Sequence, residues 1–423
     1  MINPHTFSSQ LNASVSSDAQ PALGITFDSR ACNPQTAFAA LRGEHRHGNE
    51  FIEAALASGA PFILTDLDVP RAVRVADATT ALRRWGRLQR DALGAELIGI
   101  TGSAGKTTAK TLVSSALDSP TTPGNLNTLN YLACYLLSNV SRKSRHIIEM
   151  GIDRIGEMNE LMELVAPNVG VVTAVGPAHI EFFGSIQNIA YEKGQILQAP
   201  FGLVAGSVCT RYPDTPSYGF LEHCTYRASD VVIDEQSVRF RYAGHLLCLP
   251  TPSLQVAESA VLALALAEHY GVPLEQAVAR LEKAQIGAGR FNIIRGKITL
   301  IDDAYNANPL SVAASLETLA RFKERKVAIL GHMRELGEHS RAYHSEVGAI
   351  AGTCADLVIA VGEHGDALAQ AALEQGADTL WYRNTAEAKA RFLADLKEGD
   401  VVLVKGSRYV QLEQLVEVLR EHF

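Results

Sequence analysis

The chain has 423 residues, enough for about three domains at the usual ~150 residues each. With 47% hydrophobic and 20% charged residues it is ordinary globular material, and a net charge of -8 excludes a broad nucleic-acid footprint. Six cysteines at 32, 134, 209, 224, 248 and 354 have neither metal-knuckle nor redox spacing, so they read as reduced thiols of a cytoplasmic protein.

Residues 1–20 lack the charged and apolar regions of a signal peptide. Thr36–Leu41 and Pro61–Thr65 read as strands, with a helix over Asn49–Ala57 between them and Asn49 as its N-cap. Ala78–Leu93 reads as a helix leading onward. Leu97–Thr101 is an apolar strand running into a glycine loop, and Lys106–Leu117 is the helix after it. The cluster Arg142, Lys143 and Arg145 reads as a solvated turn before the next strand. Ile147–Met150 and Val169–Val175 are further buried strands, and Ile186–Gln198 is a helix. Val256–Tyr270 and Pro273–Ala284 are helices joined at Gly271. The stretch Val256–Ala267 is too short to span a bilayer, so no membrane insertion is expected. Glycines near Gly287–Gly289 suit a hinge. Strands at Ile298–Asp302, Lys326–Leu330, Leu357–Val361, Thr379–Tyr382 and Val401–Val404 then alternate with helices.

This alternation predicts an α/β protein of three domains. A small N-terminal α/β domain covers residues 1–86, and a central P-loop ATPase-like parallel sheet covers 87–289. A C-terminal Rossmann-like doubly wound domain covers 290–423.

The chemistry begins at Thr101-Gly102-Ser103-Ala104-Gly105-Lys106-Thr107-Thr108. A strand, then Gly-x-x-Gly-Lys-Thr, then a helix is the setting of a phosphate-binding loop, in a shortened two-glycine form. Backbone N–H groups from Gly102 to Thr108 form an anion cradle, Lys106 reaches the outer phosphates, and Thr107 holds Mg²⁺. ATP is the expected nucleotide, although a regulatory P-loop NTPase fits the loop equally well. Glu149 ends the strand of Ile147–Met150, where a metal-binding carboxylate belongs; the bland reading is a solvated strand-end acid. His179 follows the next strand in Gly176-Pro177-Ala178-His179 and, on position alone, reads more often as a surface residue. Lys193 lies 14 residues on in a helix, where most lysines are solvated. Asp302 and Asp303 close a third-domain strand, where an acid suits either a ribose or a helix cap. Arg290 is placed for a phosphate or for a structural ion pair.

Taken together these residues resemble the Mur ligases, and among them the members that add D-alanyl-D-alanine. The resemblance spans nearly the whole chain. It includes Phe27-Asp28-Ser29-Arg30, Gly48-Asn49-Glu50-Phe51-Ile52, the glycine loop, Thr122-Pro123-Gly124-Asn125-Leu126-Asn127, Glu149-Met150-Gly151 and Glu192-Lys193-Gly194. It continues through Asp302-Asp303-Ala304-Tyr305-Asn306-Ala307-Asn308-Pro309, Met333-Arg334-Glu335-Leu336-Gly337-Glu338 and Val404-Lys405-Gly406-Ser407-Arg408.

The resemblance implies an ATP-dependent amide ligase of peptidoglycan precursor synthesis. It implies one Mg²⁺ on Thr107 and Glu149, and a second on His179 and a Lys193 carbamylated by CO₂. Asp303 and Asn308 would meet the nucleotide and Arg290 the γ-phosphate. Ser29, Arg30 and Gly48 would bind the UDP-sugar end of a UDP-N-acetylmuramoyl tripeptide. Asn125, Asn127, Lys405, Ser407 and Arg408 would serve the peptide and the incoming D-alanyl-D-alanine. A monomer is expected. Folylpolyglutamate-type ligases share the loop and the chemistry, but the Asp302–Pro309 string separates them. Three stretches depart from the family pattern: Leu254-Gln255-Val256-Ala257-Glu258 where adenine is met, Thr128-Leu129-Asn130 after Asn127, and Gly331-His332-Met333.

Overall fold

In the computed structural model, the described residues are 1–423 except Glu44, Lys143 and 286–289. The expected hinge at Gly287–Gly289 therefore lies outside the described residues, as does one member of the basic cluster. Three sheets follow one another along the chain.

The first sheet holds β1 (Ser14–Val15), β2 (Gly24–Thr26), β3 (Thr36–Ala39), β4 (Ile63–Thr65) and β5 (Ala72–Arg74), in the order β1-β5-β4-β3-β2. Only the β1–β5 pair is antiparallel. The turn before Ile52–Ala57 corrects the expected N-cap. His47, not Asn49, caps a 3-10 turn over Gly48–Phe51: its Nδ1 accepts from the Asn49 N–H, and Glu50 reaches back to the His47 N–H. The Asn49 side chain bonds Asp66 and Thr65 instead. The helix Ala78–Leu93 has the expected bounds, with Asp77 as N-cap and Gly94 as left-handed C-cap. It runs unbroken through residues 86 and 87, where the sequence reading divides two domains. Gly86 lets it approach the helix Leu129–Asn139 closely, since a Cβ there would stand 3.3 Å from the Ala133 Cα.

The central sheet holds β6 (Glu96–Thr101), β7 (Arg145–Glu149), β8 (Val169–Val172), β9 (Phe201–Ala205), β10 (Ser217–Gly219), β11 (Tyr226–Ile233), β12 (Val238–Tyr242) and β13 (His245–Leu249), in the order β13-β12-β11-β10-β9-β8-β6-β7. β6 to β11 pair in parallel, while β11, β12 and β13 form an antiparallel extension that the sequence reading lacks. β8 stops at Val172, short of the expected Val175, because Thr173 turns its groups toward the glycine loop. Arg145 lies over the Tyr270 ring and pairs with Glu96, so it belongs to the fold rather than to a solvated turn. The apolar stretch forms the buried helix Leu254–His269, and no helix of the described residues is long and apolar enough to cross a membrane.

The third sheet holds β14 (Asn292–Arg295), β15 (Thr299–Asp303), β16 (Lys326–Gly331), β17 (Leu357–Val361), β18 (Asp378–Tyr382) and β19 (Val401–Lys405), in the order β14-β15-β19-β16-β17-β18. All neighbours are parallel except the edge pair β14–β15, which is the doubly wound arrangement expected. The carboxyl ends of β6 and β7 and the exit of β15 meet across one cavity of about 290 Å³.

Candidate active site

The glycine loop is stitched to the exit of β8. Ser103 N–H donates to Ala174 O at 2.8 Å, and its Oγ bonds Gly176 O and N–H at 2.9 and 3.0 Å. Thr173 Oγ1 donates to Ala104 O at 2.6 Å. Only glycine fits at 102, where an added Cβ would stand 2.0 Å from Thr173 Oγ1. Gly105, at φ +78°, starts the helix Lys106–Leu117 without any side-chain cap, which leaves its first N–H groups for an anion. Lys106 Nζ lies 2.7 Å from Gly102 O. Burial pushes its pKa down, against the pull of Glu149 and with the push of Arg290.

Glu149, at the tip of β7, is 1% exposed. Its Oε2 accepts from Thr107 Oγ1 at 2.7 Å and pairs with Lys110 Nζ at 3.1 Å, and its Oε1 accepts from Asn127 at 3.1 Å. Burial pushes this carboxyl up, but the Lys110 and Lys106 ammoniums and the Thr107 hydroxyl hold it net below the usual value. Lys110 also donates to Gly124 O, which ties Glu149 to the loop of Asn125 and Asn127. Sequence reasoning misses Lys110: a lysine one turn after Lys106 looks solvated, and only the packing buries it.

Lys193 is 1% exposed, and no hydrogen bond or ion pair to it is found among the described residues. Burial first, and Lys106 second, drive its pKa well below that of an ordinary lysine. His179 lines the cavity, with its Nδ1 2.5 Å from Glu335 Oε2 of the third domain.

From the third domain, Arg290 lies over the Tyr305 ring at 4.0 Å, and the Arg408 guanidinium stands 5.4 Å from the same ring. Asp303 accepts from Lys405 Nζ at 2.5 Å, Ser315 Oγ at 2.7 Å and Phe291 N–H at 3.2 Å. Asn308 caps the helix Pro309–Leu319 and also donates to Ser103 O at 2.8 Å, so it touches the glycine loop directly.

The cavity thus gathers Ser103 to Thr108, Asn125, Asn127, Glu149, His179, Arg290, Asp303, Asn308 and Lys405. Lys405 is buried against Asp303 and Asn306 O. Gly102 and Lys193 stand behind the lining. Ser407 is buried and accepts from Arg334 N–H. Ser29, Arg30 and Gly48 lie apart on the first sheet, with Arg30 paired to Asp28 in solvent and Gly48 pressed against Ala40 and Leu41. Gln255 reaches the loop from the helix Leu254–His269, 3.6 Å from where a Gly105 Cβ would be. A second cavity of about 720 Å³ lies at the carboxyl ends of β16, β17 and β18, lined by His332, Arg334, Glu363, Arg383 and Tyr409 among others.

The donor set suits Mg²⁺. Thr107 and Glu149 offer oxygen, and no group of three or more His, Cys, Asp or Glu able to hold a metal occurs among the described residues. An ion held there would need its remaining ligands from phosphate and water, as Mg²⁺ prefers.

A phosphate cradle on one sheet, faced by an arginine and an acid from another, defines an ATP-dependent enzyme whose site is split between domains. The family descriptions agree: "Mur ligase family, catalytic domain" matches residues 22–83, "Mur ligase middle domain" 100–201, and "Mur ligase, glutamate ligase domain" 289–408. The UDP-N-acetylmuramoyl-tripeptide--D-alanyl-D-alanine ligase of Treponema pallidum is 32% identical, covering 94% of both chains, and that of Bacillus subtilis is 28% identical. Crystal structure I of MurF from Acinetobacter baumannii has a TM-score of 0.87 at 28% identity, covering 99% of each chain. MurF ligase from Thermotoga maritima in complex with ADP has a TM-score of 0.82 at 25% identity, covering 95% of this chain and 97% of that one. The chain belongs to the Mur ligase family.

Proposed function

We propose that this enzyme joins D-alanyl-D-alanine to a UDP-N-acetylmuramoyl tripeptide at the expense of ATP, in the cytoplasm, through an acyl phosphate. The single observation that carries the reading is the split cavity, in which the glycine loop faces Arg290, Asp303 and Asn308, with Asn308 bonded to the loop directly. The likeness over the full chain to relatives named for that reaction supports the choice of substrates.

The peptide carboxylate attacks the γ-phosphate, forming the acyl–O–P bond as the bond to ADP breaks. Lys106 and Arg290 neutralise charge on the transferring group. The dipeptide amine then attacks the acyl carbon, phosphate leaves and a proton is released. Thr107 and Glu149 would hold a Mg²⁺, which would supply charge neutralisation to the phosphates. His179 and Lys193 would hold a second ion. Burial and the Lys106 ammonium hold the Lys193 pKa well below that of an ordinary lysine, which favours the amine form that adds to CO₂ with loss of a proton, and the resulting carbamate would place an anion beside that ion. Asp303, braced by Lys405, takes the ribose, and Gln255 lies on the base side of the loop. Residues 1–86 with Ser29, Arg30 and Gly48 receive the UDP-sugar, 87–289 the ATP and peptide end, and 290–423 the amine. The second cavity, lined by Arg334 and Arg383, is the entry for the carboxylate-bearing dipeptide, with Ser407 bonded to the Arg334 N–H.

Phosphate release across a panel of UDP-muramoyl peptides tests the reading. Release should require both a tripeptide and D-alanyl-D-alanine, and release driven by folate substrates would overturn it. Lys106→Ala should abolish product. Activity indifferent to CO₂ depletion and bicarbonate, with Lys193→Ala still active, would refute the carbamate.

A further inference from the structure

The segment Arg334–Gly337 of the third domain docks on the short helix Ile180–Phe183 of the central one. Glu335 O accepts from Glu181 N–H at 3.2 Å, and a Cβ on Gly337 would lie 3.4 Å from the Glu181 backbone. The two facing residues both adopt the left-handed conformation, His179 at φ +57° and Glu335 at φ +65°. Non-glycine residues hold that conformation only where their surroundings over-determine it, and such positions concentrate at clamps and active sites.

His179 Nδ1 is buried and makes no aligned hydrogen bond, yet Glu335 Oε2 stands only 2.5 Å away. Glu335 is thus the acceptor within reach of that nitrogen, and it comes from the opposite domain. An imidazole has two nitrogens, and a partner that takes the proton of one leaves the other as the lone-pair donor. Histidines that ligate metals commonly donate their second ring N–H to a carboxylate in this way.

We propose that Glu335 is a positioning residue delivered by domain closure: it accepts the Nδ1–H of His179 and thereby leaves Nε2 free as the donor toward the metal ion. This rests on the reading of His179 as a metal ligand. The central domain alone then holds His179 in no fixed tautomer, and the second ion binds tightly only once the third domain is docked. The carboxylate acts through His179 and touches no substrate.

The test uses the full chain with ADP, bicarbonate and Mn²⁺ as the probe, counting bound ions by paramagnetic resonance alongside steady-state kinetics. Glu335→Ala keeps the backbone contact to Glu181, so the variant should fold and dock. Its second Mn²⁺ should bind about 10–100-fold more weakly, with kcat falling in step and the KM for ATP unchanged. Glu335→Gln retains an acceptor oxygen and should recover most of both. Imidazole ¹⁵N shifts, assigned with a His179→Ala variant, should report a single Nδ1–H tautomer in the native enzyme with ADP and a mixture in Glu335→Ala. If Glu335→Ala binds both ions and turns over like the native enzyme while His179→Ala loses an ion, Glu335 has no such role. If His179→Ala also keeps both ions, the reading of His179 as a ligand falls, and this inference with it.

Discussion

Replacing Lys110 with methionine removes one half of a buried ion pair and strands the other. Lys110 Nζ and Glu149 Oε2 are 3.1 Å apart, and both side chains are 2% exposed. At an effective dielectric of about 20 that separation corresponds to roughly 5 kcal/mol of attraction, offset in the native protein by the cost of burying the ammonium. Stranding a buried charge costs about 3–5 kcal/mol. Thr107, Asn127 and the more distant Lys106 still face Glu149, so the lower figure, about 3 kcal/mol, applies. At about 2 °C per kcal/mol for large domains, the melting temperature should fall by about 6 °C.

Two signatures separate this from a generic packing loss. A Mg²⁺ held beside Glu149, as proposed, would replace the missing charge, so the gap should narrow as MgCl₂ is raised. The gap should also depend on pH. In the native protein the Glu149 carboxyl is held below its usual 4.5, so it contributes stability above that value that is lost as pH falls through the folded pKa. Without Lys110 burial dominates and the folded pKa rises, so stability is lost as pH climbs instead. The two proteins should therefore diverge between pH 4 and 7, in melts followed by circular dichroism. A difference under about 1 kcal/mol at pH 7, the value of an exposed pair, with no response to Mg²⁺, would refute the reasoning.

Gly102→Ala drives a methyl onto Thr173 Oγ1, so ATP affinity by calorimetry should fall at least about tenfold, or ~1.4 kcal/mol; native affinity would count against the cradle. Asn308→Ala should cost about 1 kcal/mol as a lost cap and about 1 kcal/mol more for its lost bond to Ser103 O; a loss no larger than that of the cap alone would argue against that bond. His344 is fully buried, with Nε2 accepting from Met333 N–H and Nδ1 facing Ser340 O, and burial pushes its pKa from 6.5 to about 4. The unfolded chain binds the extra proton, so stability should fall as pH drops from 6.5 to 4, by about 3 kcal/mol at most. His344→Gln should flatten that part of the curve in urea melts, and an unchanged slope would assign it elsewhere.

The parts legible in the sequence are those written in adjacent residues. The bounds of Ala78–Leu93, Lys106–Leu117 and Leu357–Val361 come straight from periodicity and caps. The glycine loop announces itself because its chemistry occupies eight consecutive positions. The hairpin strand Val238–Tyr242 carries a clear alternation, Val-Arg-Phe-Arg-Tyr, so this strand too is legible in adjacent residues. Lys110 and Glu335 were not legible in principle. Their partners lie 39 and 156 residues away, and only tertiary packing turns an ordinary helical lysine into a buried group and an ordinary loop glutamate into a directional one. His47 shows a third case: a histidine accepting at an N-cap stands outside the usual Ser, Thr, Asp and Asn vocabulary.

The helix Ala78–Leu93 belongs to the first two sheets at once. At 1.5 Å per residue its 16 residues form a strut of about 24 Å, held flat against its neighbour by Gly86. The third sheet meets the second through single contacts such as Asn308–Ser103 and Glu335–Glu181. In a builder's terms the first joint is welded and the second is a clasp. A substrate anchored at the first sheet, as proposed, with its reactive end at the glycine loop would be measured against that fixed gauge.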